Sequence, residues 1–156
     1  MVIRVKKKNK NYSCISKTET MDFKKYKDTV YQIIGAAMEV HSELNWGLLE
    51  PVYNEALHLE LLDRGIDNER EKQLPCYYKH HKLEKFYQMD IVVGDVVVEL
   101  KSVDELNSAH RAQLFNYMHL THTEYGMLIN FGGDSLFSEW YHRDPISGDI
   151  EKVKLL

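Results

Sequence analysis

Apolar residues recur at three- and four-residue steps from Asp22 to about Leu44: Phe23, Tyr26, Val30, Ile33 and Ile34, Ala37, then Val40 and Leu44. That period predicts an amphipathic helix, with Asp22 as its N-cap. Asn45-Trp46-Gly47 interrupts it. A second helix is predicted beyond the break, with Pro51 tolerated in its first turn and Val52, Ala56, Leu57, Leu59, Leu61 and Leu62 as its apolar positions. Arg64-Gly65, a basic last turn followed by glycine, ends it.

The pattern then changes to β. Glu69 to Lys79 reads as a strand broken at Pro75, which suits a sheet edge or a bulge. Lys79-His80-His81-Lys82 is the turn into the next strand. Adjacent strand residues point to opposite faces, and no third ligand lies near His80 and His81 in sequence, so a solvated basic loop is expected there. Ile91–Val93 and Val96–Val98 are β-branched runs joined by Gly94-Asp95, the signal for a type II′ hairpin.

A two-residue loop fixes a register. Val93 faces Val96, Val92 faces Val97, Ile91 faces Val98, and Asp90 then faces Glu99. Like charges placed opposite one another are destabilising, and apolar neighbours raise the cost. Lys101 shares a face with Glu99 by the period of two. A divalent cation between Asp90 and Glu99 is a second means of compensation. The plain alternative is a structural ion pair of Glu99 with Lys101, with Asp90 at a strand end.

Ser108 is the expected cap of a third helix through about Thr121, with the face Leu106, Ala109, Gln113, Tyr117 and Leu120. Gly126 to Phe131 is a short apolar strand expected to pair in parallel beside Val96–Lys101 after that crossover helix. The tail from Leu136 holds Trp140, Tyr141 and a Pro145/Gly148 turn, compatible with a terminal hairpin. The order of elements is α/β with a mixed sheet.

At 156 residues the chain fits one domain with a sizeable core. No apolar run approaches membrane-spanning length. The start, Met1 to Lys8, is basic but lacks the apolar segment of a secretory signal. Cys14 and Cys76 are distant and unpatterned, as expected of reduced thiols in a cytoplasmic protein. Residues 1–20 carry six Lys or Arg against Glu19, a net of +5, and with the whole chain at −4 the remainder is −9. We read residues 1–20 as a flexible basic extension and 21–156 as a single domain, with Met21-Asp22-Phe23 as an alternative start. An acidic body is poor at holding nucleic acid non-specifically.

Met89-Asp90 followed by Glu99-Leu100-Lys101 on the next strand resembles the PD-(D/E)XK nuclease superfamily. Gly47-Leu48-Leu49-Glu50-Pro51-Val52-Tyr53, preceded by Ile34 to His41, is similar to the GxxExxY proteins within it, and the likeness runs from about Phe23 to Phe131. The resemblance implies a restriction-endonuclease-like core, a mixed central sheet flanked by helices. It implies that Glu50 reaches the metal site, where the residue would otherwise be a helix N-terminal charge favoured by the macrodipole. Tyr53 shares a helix face with Glu50, to pack over the site or in the core. Gln113 and Tyr117 are similar to a Gln-x-x-x-Tyr motif of the superfamily, in which the glutamine orients site groups or the substrate backbone and the tyrosine supports it. His110, one turn earlier, is a weaker candidate to touch a phosphate, and His41 is expected to be packed or solvated.

The implied chemistry is metal-dependent phosphodiester hydrolysis. Asp90, Glu99 and the Leu100 carbonyl would hold one or two Mg²⁺ or Mn²⁺ ions, with Glu50 completing the shell or anchoring a second metal. Lys101 would position or help deprotonate the attacking water and offset phosphate charge. The expected partner is nucleic acid, DNA first and RNA as the alternative. A second copy or a protein partner is the expected route to cutting both strands. A PD-(D/E)XK-fold module that binds nucleic acid or protein without cutting is the competing reading. There is no glycine-rich phosphate loop and no membrane segment.

Overall fold

The structure is a computed structural model that describes the backbone of residues 17–154 and the side chains of residues 24–154. Helices α1 (Lys17–Leu44) and α2 (Glu50–Asp63) come first, then β1 (Glu69–Tyr78), β2 (His81–Val93) and β3 (Val96–Lys101). Helix α3 (Ser108–Thr121) crosses over to β4 (Tyr125–Asn130), and β5 (Phe137–Arg143) and β6 (Ile150–Lys152) complete the chain.

The six strands form one sheet in sequence order. Only β3 and β4 run parallel; every other neighbouring pair is antiparallel. That follows from the connections, because tight turns join antiparallel neighbours whereas a parallel pair needs a crossover helix. The architecture is therefore the mixed α/β sheet expected, and the tail forms the expected hairpin as β5 and β6.

Two layers cover the sheet. On one face Val30, Ile33, Ala37, Leu57 and Leu61 from α1 and α2 pack on Ile91, Val98, Leu100, Met127 and Ile129. On the other, Leu114, Tyr117 and Met118 of α3 pack on Val97, Leu128 and Tyr141. The alternation along β3 thus sends Val98 and Leu100 to the α1/α2 layer. Val97, Glu99 and Lys101 go to the α3 side.

Several local expectations are corrected. Asp22 is not an N-cap: α1 begins at Lys17 and passes through it. The rest of the expected N-terminal extension, residues 1–16, lies outside the described residues. Along α2, Val52, Leu59 and Leu62 are exposed, while Tyr53 and Asn54 are buried beside Leu57 and Leu61. The cap of α3 is Asn107, not Ser108; its side chain accepts the N–H groups of Ala109 and His110. Ala109 and Leu120 face solvent, and Leu114 and Met118 fill the buried stripe.

The central hairpin has the expected register, Val93 opposite Val96, Val92 opposite Val97 and Ile91 opposite Val98. Gly94 turns it with φ +53°. Pro75 sits on the edge strand beside a bulge. No described helix is long and apolar enough to cross a membrane.

Candidate active site

The ladder between β2 and β3 stops at Ile91–Val98, one pair short of Asp90 and Glu99. Side-chain alternation also breaks there. Ile91 and Val93 pack in the α1/α2 layer, whereas Met89 packs with α3. Opposite the break, between the pairs Arg70/Ile91 and Lys72/Met89, Glu71 takes φ +53°. The Asp90 side chain substitutes for the missing ladder bond: its Oδ2 accepts the Leu100 N–H at 2.7 Å. In a strand the N–H and C=O of one residue point to the same side, so the Leu100 carbonyl is directed toward the Asp90 side as well.

Glu99 is 1 % exposed and Lys101 9 %. Lys101 Nζ donates to Glu99 Oε1 at 3.2 Å and to Gln113 Oε1 at 3.0 Å. Gln113 Nε2 in turn donates to Tyr117 Oη at 3.1 Å. The structure therefore brings Asp90, Glu99, Lys101, Gln113 and Tyr117 into one chain of contacts. The i, i+4 spacing of Gln113 and Tyr117 puts both on the helix face that meets β3.

The electrostatics are those of two acids in a dry site. Burial pushes Asp90 up to about 6; the Leu100 N–H pulls it back, and the Glu50 charge pushes it further. Burial, then the neighbouring Asp90 charge, pushes Glu99 up to about 8 against the pull of Lys101. Burial alone would lower Lys101, but Glu99, Glu50 and Asp90 together hold it above its ordinary value. Glu99 Oε2 is buried with no donor aimed at it among the described residues. Two ionised carboxylates are both acceptors. A proton on one acid, or a cation between the two, relieves such a pair.

That orphaned oxygen is the test of whether a divalent metal fits. Asp90, Glu99 and the Leu100 carbonyl offer hard oxygen donors on one side, with excess negative charge to neutralise. Mg²⁺ is commonly held by one or two carboxylates plus water and phosphate oxygens, so the donor set fits. Among the described residues no three His, Cys, Asp or Glu converge closely enough to hold an ion by themselves, so Glu50 stands off from the pair.

Glu50 is half-buried at the first residue of α2 and is felt electrostatically by Asp90, Glu99 and Lys101. The loop that carries it is built by the Gly47–Glu50–Tyr53 spacing. Gly47 has φ +92°, a conformation that suits glycine. Tyr53 closes the loop, its Oη donating to the Asn45 carbonyl at 2.6 Å and accepting the Leu48 N–H at 3.2 Å. Its ring is fully buried and stacks on Phe131 with centroids 4.7 Å apart. Tyr53 is thus core, one of the two alternatives read from the sequence, and it is not beside the acids. Ser102 Oγ donates to the Leu48 carbonyl at 2.7 Å, tying this loop to the end of β3.

His110 Nδ1 accepts the Asn107 N–H in the α3 capping box. His41 Nε2 is 2.8 Å from the Gly133 carbonyl and joins α1 to the loop after β4, a packed role as expected.

Two supports had no signal in the sequence. Asn130 binds the Val103 N–H and carbonyl and holds the loop that leaves β3. Asn54 reaches the Asp90 carbonyl at 3.5 Å. A lone asparagine on a strand or helix carries no period or spacing to mark it.

With this geometry in place, comparison with known proteins is direct. The chain belongs to the PD-(D/E)XK nuclease superfamily, whose family model matches residues 27–143. The matched segment contains strands β1 to β5, helices α2 and α3, and α1 from Lys27 onward. No curated protein matches the sequence. Among solved structures, the crystal structure of SSO0001 aligns with TM-score 0.47 and 18 % identity. That alignment covers 58 % of this chain and 48 % of the other, so the chain spans about half the length of that protein.

Proposed function

We propose that this chain is a metal-dependent nuclease that hydrolyses phosphodiester bonds of DNA, with RNA as the alternative polymer, and that it belongs to the GxxExxY branch of its superfamily. The observation that carries the reading is Lys101: a buried ammonium bridging Glu99 and Gln113 beside Asp90. The Gln113 bond from α3 fixes the direction of the ammonium, as a water-positioning lysine requires.

Asp90 and Glu99, with the Leu100 carbonyl and Glu50 behind them, would hold Mg²⁺ or Mn²⁺. When bound, such an ion polarises the phosphoryl group and acidifies a water ligand. Lys101 holds the water in line and offsets charge developing on phosphate oxygens. Gln113 fixes the Lys101 ammonium, and Tyr117 fixes the Gln113 amide. Burial favours a proton on Glu99 in the metal-free site, and a bound cation would compete with it. His110 retains one ring nitrogen outside the capping box as a phosphate contact. Among the described residues Cys76 is in no disulfide; a cytoplasmic site of action is part of this proposal.

One observation favours the non-catalytic binding module instead: Glu50 does not converge with Asp90 and Glu99 into a three-acid cluster. Calorimetric titration of Mn²⁺ and Mg²⁺ into wild type and Asp90→Ala, with cleavage of DNA and RNA assayed alongside, separates the readings. Metal binding lost in Asp90→Ala and cutting lost in Lys101→Ala support the nuclease. Metal binding with no cutting of any substrate supports the module. No binding at millimolar metal leaves the acids structural and ends the catalytic reading.

A further inference from the structure

The β1–β2 ribbon projects beyond its neighbours. β3 pairs with β2 only from Ile91 to Val93, and β1 is the sheet edge. Every residue from His81 to Gln88 is exposed. Such a two-stranded ribbon, open beyond the Leu74/Tyr87 pair at its base, is only marginally stable on its own. Its exposed surface is nevertheless aromatic: Tyr78 is 62 % exposed and Tyr87 47 %. It is also basic, with Lys79, Lys82 and Lys85 against Glu84 in a chain whose net charge is −4.

One side of the ribbon leads to the site. The ladder sets Tyr78 opposite His81 near the tip and Leu74 opposite Tyr87 at the base, with a register shift and Lys85 between them, and directly opposed residues share a face. The Tyr87 ring meets the Tyr117 ring edge-on, with centroids 6.0 Å apart. At the far tip, Lys79 Nζ lies 5.5 Å from the centre of the Tyr78 ring. A strip of aromatic rings and ammonium groups therefore runs from the tip to the tyrosine that supports Gln113.

We propose that this arm is a track for single-stranded nucleic acid, on which Tyr78 and Tyr87 stack bases while Lys79 and Lys85 hold phosphates. The inference rests on the nucleic-acid reading of the site and narrows its substrate to unpaired strands. Exposed rings and interleaved lysines are the means by which strands are held without sequence preference. A duplex offers phosphates to the lysines but hides the base faces that the tyrosines would meet. The opposite face of the ribbon also carries exposed aromatics, Tyr77 at 61 % and Phe86 at 49 %, but among the described residues no ring contact joins either to Tyr117, so Phe86 serves as the internal comparison.

The test is fluorescence anisotropy of labelled oligothymidylate against the full chain in EDTA, with a duplex as competitor. We expect wild type to bind the single strand more tightly than the duplex. Tyr78→Ala weakens binding about tenfold, and Phe86→Ala changes it less than about twofold on the same scale. Lys79→Gln/Lys85→Gln flattens the salt dependence by about 1.4 in log–log slope. Equal binding of duplex and single strand, wild-type affinity in Tyr78→Ala, or an equal loss in Phe86→Ala overturns the track. Tyr78→Phe, which keeps the ring, must retain affinity, and this separates stacking from misfolding. Strand binding that depends on Tyr78 without metal-dependent cutting retires the nuclease reading and leaves the track standing. Cutting of single strands that is indifferent to Tyr78→Ala does the reverse.

Discussion

Asp90 bonds to Leu100 through its side chain and not its backbone, at 2.7 Å and where the β2–β3 ladder ends. The strand gives up a ladder bond and gains a carboxylate fixed beside Glu99. Asp90→Asn keeps an oxygen for the Leu100 N–H and removes one of two crowded charges. We expect the metal-free variant to be more stable than wild type by about 2 kcal/mol, since Asp90 sits well above its ordinary range. Mg²⁺ should then no longer raise its melting temperature. Calorimetric scans with and without Mg²⁺ check both halves. A variant that melts below wild type without metal would show the Asp90 charge to be structurally required.

The same pair sets a pH dependence. Asp90 is raised to about 6 and Glu99 to about 8, so the folded state holds protons that the unfolded chain has released. Their contribution is therefore complete below the ordinary carboxylate range and is lost as pH rises through about 6 and about 8. Without metal, unfolding free energy should fall by on the order of 3 kcal/mol across that window. Mg²⁺, which would compete with protons for the two acids, should flatten the curve. Urea unfolding at the two ends of the window, with and without Mg²⁺, measures it. A stability that rises with pH would mean the two acids are ion-paired and not crowded.

How much of this was legible follows from what each signal depends on. The hairpin was, because Gly94-Asp95 fixes a register that the β-branched runs on both sides repeat. So was the stacking of Gln113 on Tyr117, because a helix period is local; that the pair meets Lys101 was implied only by the family resemblance. The break at Asp90 was not. Strict alternation predicts Asp90 opposite Glu99 in the ladder, and only the packing of Met89 against α3 shows that β2 turns over there. Nor was the true face of α3: Leu114 and Met118 are apolar like Leu120, and only the sheet beneath them selects which are buried. The Tyr53 hydroxyl was equally hidden, since its partners, Asn45 and Leu48, offer only backbone atoms.

Gln113 offers a prediction that separates positioning from binding. It touches Lys101 and Tyr117, and neither is among the oxygen donors assigned to the metal. Gln113→Ala should lower kcat about 100-fold, the scale of a mispositioned proton-handling group, with Mg²⁺ affinity unchanged. Gln113→Glu sets a third carboxylate against Lys101 and should move the pH–rate profile upward, because added negative charge favours the ammonium form. Tyr117→Phe removes one bond to the amide and should cost less than either. Equal losses of Mg²⁺ affinity and rate in Gln113→Ala would place the amide on the metal.

Arg111 lies two residues before Gln113 on α3 and grips Glu139 of β5 with two bonds, Nε to Oε2 at 2.8 Å and Nη2 to Oε1 at 2.7 Å. The Tyr141 hydroxyl donates to the same carboxylate, and Lys152 stands 3.5 Å away. The Arg111 bonds, against the effect of burial, hold Glu139 down to about 2. A lowered carboxylate stabilises the fold above its ordinary range and loses that contribution as pH falls toward about 2. Arg111→Ala leaves a buried acid without its main partner and should cost about 3–5 kcal/mol. Arg111→Lys keeps the charge but not the fork, so it should recover only part of the loss. Arg111→Met/Glu139→Leu removes both charges and should recover most of the stability. Its effect on Gln113 can then be read from kcat: a rate that falls while stability is restored means that the clamp sets the position of α3 over Lys101, and a wild-type rate means that its role ends at the fold.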